Sequence, residues 1–210
     1  MDRKEIKRKA KEFAFNNKWK IWAPLLVIYA ISYAYIFILG LLITDKDSAL
    51  YNVLTIGFEI AILPLSVGYT SYLYKLLKGE EISIKEALLS KYNMFGLIFV
   101  TTLLVGLFTS LWAILLIIPG IIYSFKMAMV PYILADEGAI KMTYKEVMDK
   151  SKKMMNGHKW EWFVFSLSFL GWSILCFLTL GIAMIWVMPY IIIAQIMYYQ
   201  ELLKLTSNAI

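Results

Sequence analysis

Two charged side chains stand inside or against long uncharged stretches. Glu59 is the only charge between Leu50 and Tyr74, and Lys126 directly follows an uncharged run from Phe95 to Phe125. A carboxylate and an ammonium in apolar surroundings suit an ion pair or the lining of a polar cavity, because an isolated charge at a bilayer centre costs several kcal/mol. With a rise of about 1.5 Å per residue, both lie within a turn or two of the outer ends of their helices, so their depths are compatible with pairing. Three arrangements stand open at this point: a structural pair that sets helix register, a Lys126 that snorkels alone to the interface, and a transport role. The two residues are the candidate binding positions of the chain.

Other chemistry is sparse. The single histidine, His158, sits in Asn156-Gly157-His158-Lys159-Trp160, which reads as a turn into an interface. No second His, Cys or carboxylate cluster is available at metal-ligand spacing, so no metal is expected. Phosphate loops and nucleophile elbows are absent from the sequence, and no cofactor is expected. Asp136-Glu137-Gly138 reads as the exit of a helix. Cys176, the sole cysteine, lies in an apolar run and cannot build a disulfide framework within one chain. The expectation is a protein that is not an enzyme.

The elements that must position these residues follow from composition. The 210 residues are 60% hydrophobic and 17% charged, with a mean hydropathy of +0.67. Average soluble domains are about 45–50% apolar and about 25% charged. A membrane-spanning helix takes about 20 apolar residues. Trp22 to Ile43 carries no charge, and neither does Trp162 to Gln200. The latter run, like Phe95 to Phe125, is long enough for a tight hairpin. Six helices are expected, near 21–43, 51–76, 94–117, 121–135, 161–178 and 182–203. Turns fall at 44–50, around Pro119-Gly120 and around 179–181. The first apolar run is too long for a signal-peptide core and reads as a retained span. No myristoylation glycine or prenylation cysteine marks the ends of the sequence.

Charge orients these spans. Residues 1–20 hold eight Lys or Arg, residues 75–91 four and residues 141–159 six; Lys204 stands in the tail, and Lys46 and Lys126 complete the 21. The positive-inside rule then places both termini and both long loops in the cytoplasm. Trp19, Trp22, Tyr72, Tyr74, Trp160, Trp162, Tyr198 and Tyr199 cluster at the same boundary, as an aromatic belt does.

A unit recurs three times, over about 1–78, 79–140 and 141–210 within one membrane domain. Its markers are Lys11-Glu12, Lys85-Glu86 and Lys145-Glu146; Asn17, Asn93 and Asn156; and Pro64, Pro131 and Pro189. Each unit opens with a short basic amphipathic helix: Ile6, Ala10 and Phe13; then Ile84, Ala87, Leu88 and Tyr92; then Tyr144, Val147, Met148, Ser151 and Met155. Such helices lie in the interface with lysines near anionic headgroups. Glu146–Lys150 and Asp149–Lys153 have the spacing of i,i+4 ion pairs. Each proline removes a backbone donor, leaving a carbonyl one turn earlier in need of a partner. Gly106 with Ser110, and Ser124 with Ala128, are spaced for close helix packing. The adjacent spans account for the lysines, and no nucleic-acid partner is expected.

The second half, about residues 111–200, resembles a family of bacterial integral membrane proteins known only as a domain of unknown function, number 975. The matching stretches include Leu116-Ile117-Ile118-Pro119-Gly120-Ile121, Pro131-Tyr132-Ile133-Leu134-Ala135-Asp136, Asn156-Gly157-His158-Lys159 and Pro189-Tyr190. The resemblance implies a bacterial plasma-membrane protein and carries no activity with it. The expected fold is thus an all-α membrane protein of six transmembrane helices in three repeated hairpins, each preceded by a cytoplasmic amphipathic helix. The leading functional expectation is a non-enzymatic accessory or regulatory module that binds another membrane protein or lipid. A small transporter or channel for a solute, ion or lipid is the rival, and an intramembrane enzyme the third reading.

Overall fold

Side-chain caps start several helices of the computed structural model, which describes residues 2–81 and 83–207. Asp2 accepts hydrogen bonds from the backbone N–H groups of Lys4 and Glu5 and so starts α1 (Arg3–Asn16). A carboxylate there satisfies donors that the first helical turn leaves without partners. Asn17 breaks the helix: its side-chain amide donates to the Phe13 carbonyl, offering the backbone an alternative to continued helix. α2 (Lys18–Leu42) follows, and Ser48 caps α3 (Ala49–Leu77) by accepting from Tyr51 N–H. Ser83 does the same for the short α4 (Ile84–Leu89), which passes through a 3₁₀ turn into α5 (Phe95–Leu115).

α2 and α3 run antiparallel. Near one end Tyr35 stacks on Phe58 with ring centroids 3.9 Å apart, and its hydroxyl donates to the Leu54 carbonyl. Near the other end Tyr72 donates to the Lys20 carbonyl at 3.0 Å and Tyr69 to that of Ile21 at 3.2 Å. Pro24 explains the Tyr72 bond: it lacks the N–H that would serve Lys20 four residues back.

Leu116 alone is extended between α5 and α6 (Ile117–Lys126). The turn expected around Pro119-Gly120 therefore lies earlier, and both residues belong to the first turns of α6, where a proline's missing N–H costs little. Gly120 is required by the close approach of the two helices. A Cβ placed on it would come within 2.7 Å of the Ala113 Cα and 2.8 Å of the Ala113 N. Gly106, expected at a close contact, has open space around it.

The helix expected over 121–135 is interrupted after Lys126 and resumes as α7 (Val130–Ala135). Ser151 of α8 (Tyr144–Met154) holds the interruption, donating to the Lys126 carbonyl at 2.8 Å and accepting from Met129 N–H at 3.3 Å. Pro131 stands at the start of α7 rather than within a helix, so it opens no gap there. Likewise the helix expected over 161–178 is α9 (Lys159–Leu167) followed by α10 (Leu170–Leu178). Leu180 and Gly181, with φ of 52° and 89°, turn the chain into α11 (Met184–Ser207).

Among the described residues five helical stretches are long and apolar enough to cross a membrane: Lys18–Leu42, Ala49–Leu77, Ile84–Leu115, Ile118–Ala135 and Lys159–Leu178. They make the chain an all-α, multi-pass membrane protein. Phe37, Leu42, Ile114 and Phe177 are each more than two-thirds exposed, as lipid-facing side chains are. α11, expected as a sixth span, is not among the five. It is the centre of the core instead: Ile193, Ala194, Ile196, Tyr198, Tyr199 and Leu202 are fully buried against α1, α3, α8 and the α9 aromatics.

The basic amphipathic helices also turn inward. α1 buries Ile6 and Ala10, and α8 buries Val147, Met148, Ser151 and Met154. Their apolar faces cover protein where lipid was expected. The Ala87 side chain, expected on the second such face, lies outside the described residues, as does the tail beyond Ser207.

Candidate functional site

The structure does not bring Glu59 and Lys126 together. Glu59 is exposed along α3, and Lys126 is half-buried at the last residue of α6. No ion pair joins them among the described residues, and neither lines any of the five cavities described below. The Lys126 backbone, through Ser151, has the clearer structural role.

A different set of polar groups is buried. Lys91, only 4% exposed, donates from Nζ to the Asp136 carbonyl at 3.1 Å. That carbonyl lies at the end of α7, where helix carbonyls lack partners within the helix; it also accepts from the Ala139 N–H at 3.3 Å, so the ammonium is its second donor. Tyr199 reaches the Asp136 carboxylate at 3.4 Å, and Tyr132 donates to Gln195 Oε1 at 2.6 Å. The Tyr199 ring stands beside those of Tyr74 and Tyr132, with centroids 6.3 and 6.0 Å away. Lys75 pairs with Glu137 just beyond, and holds its carboxyl below the usual carboxylate range. The sequence marks Asp136 and Glu137 as a helix exit, which they are. It holds no signal that Lys91, 45 residues away, caps that exit; only the docking of α7 against α3 and the adjoining 3₁₀ turn creates the pairing.

On α8 the expected i,i+4 pairs give way to other partners. Glu146 accepts from the Thr143 N–H and hydroxyl in a capping box, which holds its carboxyl below the usual range. Asp149 pairs with Lys152 rather than Lys153, at 2.9 Å. The physical reason for the first is that a box serves two helix-start donors, whereas an exposed i,i+4 pair yields about 0.2–0.5 kcal/mol.

Five cavities among the described residues each have a lysine in the wall. Four of them also present carboxylates. One of about 270 Å³ contains Asp2, Glu5 and Glu201 with Lys9, and another of about 420 Å³ contains Glu80 and Glu81 with Lys20. A third, of about 470 Å³, has Glu146 and Asp149 beside Lys150 and Lys153. A fourth, of about 270 Å³, joins Lys75, Lys91 and Glu137. The fifth, of about 180 Å³, is formed by aromatic side chains with Lys11 and Lys18 and has no carboxylate. The sequence places Trp22 alone of its aromatics in the interfacial belt, and it does not place Trp186, far along the chain, against Trp22. Among the described residues no group of three or more His, Cys, Asp or Glu is arranged to hold a metal ion.

Fold and surface thus define a multi-pass helical membrane protein with a cavity-bearing basic end. Residues 113–206 match the model of a family described as a protein of unknown function (DUF975), which bears out the resemblance read over about 111–200. No curated protein and no solved structure matches the chain.

Proposed function

We propose that this protein is a non-enzymatic accessory or regulatory module of a bacterial plasma membrane, and that its basic end binds another membrane protein or lipid. One observation carries the reading: the five cavities are all walled by lysines of that end, while the buried polar groups Lys91, Ser151 and Tyr132 bond to the protein itself. The positive-inside rule supports a cytoplasmic placement of this end and of both termini. The repeat is part of the same proposal. α1, α4 and α8 each precede a helical pair, and three such pairs in one orientation give a bundle with its lysines on one side. α11 then completes the third pair while forming the core. The transporter reading needs a polar path to Glu59 or Lys126, and no described cavity reaches either residue.

Purification of the full chain in mild detergent, with mass spectrometry of co-purifying species, tests the proposal. A stoichiometric membrane-protein partner or a retained lipid supports it. A monomer that carries neither, and that passes a solute across reconstituted vesicles, refutes it.

A further inference from the structure

The carboxylate-free cavity lies where the end of α1 and the start of α2 meet α10 and the start of α11. Two aromatic pairs form its walls: Trp22 against Trp186, edge to face at 5.0 Å, and Trp172 against Tyr190 at 5.9 Å. Lys11 and Lys18 stand at its rim, both exposed, and the Lys18 ammonium sits 3.5 Å from the Phe15 ring centroid. Some neighbouring cations face carboxylates of the protein, Arg8 beside Glu12, Lys9 beside Glu5 and Lys20 beside Glu81, while Lys7 stands over the Phe169 ring. Lys11 and Lys18 have no carboxylate partner among the described residues. A recess with two unneutralised ammonium groups and an aromatic interior complements a molecule with an anionic head and an apolar body. Trp and Tyr are the side chains that settle at the headgroup level of a bilayer. The volume of about 180 Å³ falls below the roughly 300–1,000 Å³ of pockets that engulf a small molecule. It suits the junction of head and chain of a lipid whose remainder stays in the bilayer.

We propose that this cavity is a specific site for one anionic phospholipid, with its phosphate between Lys11 and Lys18 and the start of an acyl chain against Trp22, Trp172 and Trp186. The site deepens the proposed function, since it rests on the basic end being the working surface and names a lipid class for it. The lysines supply the preference for charge, and the aromatic walls supply the preference for an acyl chain over a free anion.

The test is native mass spectrometry of the delipidated full chain, titrated with palmitoyl-oleoyl phosphatidylglycerol, with the matching phosphatidylcholine and with glycerol phosphate. The site predicts one tightly bound phosphatidylglycerol per chain, at about tenfold higher affinity than phosphatidylcholine. The paired change Lys11→Gln with Lys18→Gln removes this preference, whereas the Lys→Arg pair keeps it. Both positions are exposed, so an unchanged melting temperature verifies that the variants fold. Trp186→Ala weakens both lipids. Equal affinity for the two lipids overturns the proposal, and so does an unaffected Gln pair. An equal loss from Lys145→Gln with Lys153→Gln, on α8, also overturns it, because the preference would then belong to a diffuse field. Glycerol phosphate binding as tightly as the lipid marks a free-phosphate site and overturns it too. Failure of this titration leaves any protein partner found by co-purification standing, so the two proposals fail separately.

Discussion

Gly120→Ala adds one methyl group where α5 and α6 meet. The new Cβ would stand 2.7 Å from the Ala113 Cα, 2.8 Å from its N and 3.0 Å from its Cβ. Carbon atoms in ordinary contact are about 3.5–4.0 Å apart, so the helices must separate by about 1 Å. The obstacle is mostly backbone, which cannot swing aside as a side-chain tip can. Overpacking of this kind costs about 1–3 kcal/mol, offset by about 0.5–1 kcal/mol because alanine is the better helix former. The net loss is up to about 2.5 kcal/mol, which for a chain of this size lowers the melting temperature by up to about 10 °C. Gly106→Ala is the control. It carries the same propensity gain, and its Cβ meets nothing within 4 Å. Thermal unfolding of both variants in one detergent, followed by tryptophan fluorescence, should leave Gly106→Ala at or above the parent and Gly120→Ala below it. If Gly120→Ala melts with or above Gly106→Ala, the helices do not approach as described.

Three further outcomes follow from named bonds. Tyr72→Phe removes the hydroxyl that serves the Lys20 carbonyl and should cost about 1–2 kcal/mol; Pro24→Ala restores the missing backbone donor, so in a double-mutant cycle the loss from Tyr72→Phe should shrink on that background. Ser151→Ala strips partners from both the Lys126 carbonyl and Met129 N–H and should cost about 1–3 kcal/mol in chemical denaturation, while Ser151→Thr, which keeps the hydroxyl, should lose less. Glu146 and Glu137 both have depressed carboxyl pKa values, so their contribution to stability is present above the ordinary carboxylate value of about 4.5 and disappears as pH falls through the lower folded values; melting curves from pH 7 to pH 3 should show the acid-side loss diminished in the Glu146→Gln, Glu137→Gln pair.

The class of fold was open to inspection in the sequence because it depends on totals and runs. Uncharged stretches of span length at Trp22–Ile43 and Phe95–Phe125 leave few alternatives to membrane helices, and five of the six expected helices meet the length and apolarity of a span. Local chemistry was less legible: the i,i+4 spacing points Glu146 to Lys150, and the structure gives it to a capping box with Thr143. The sixth helix shows the limit. Periodicity marks α11 as helical and apolar, but burial depends on what surrounds it, and only the docking of α1, α3 and α8 makes it the core.

The candidate site divides in the same way. Glu59 and Lys126 were conspicuous because charge is conspicuous in an apolar run, yet conspicuousness in one dimension carries no information about a partner's position in three. Lys91 looked like an ordinary surface lysine of an amphipathic turn and proves to be the buried cap of a helix 45 residues away. Pro24 opens a gap in its own helix, and nothing local to it points to the tyrosine, 48 residues on, that fills it. The aromatic cavity required Trp22 and Trp186 to meet, with Lys11 and Lys18 at its wall. Composition, hydropathy and local capping are properties of adjacent residues, so the sequence by itself determined the helical, membrane-spanning character and the basic end. Which charges are neutralised, which carbonyls find replacement donors and which apolar faces meet protein depend on long-range packing. Those were decided by the tertiary structure alone.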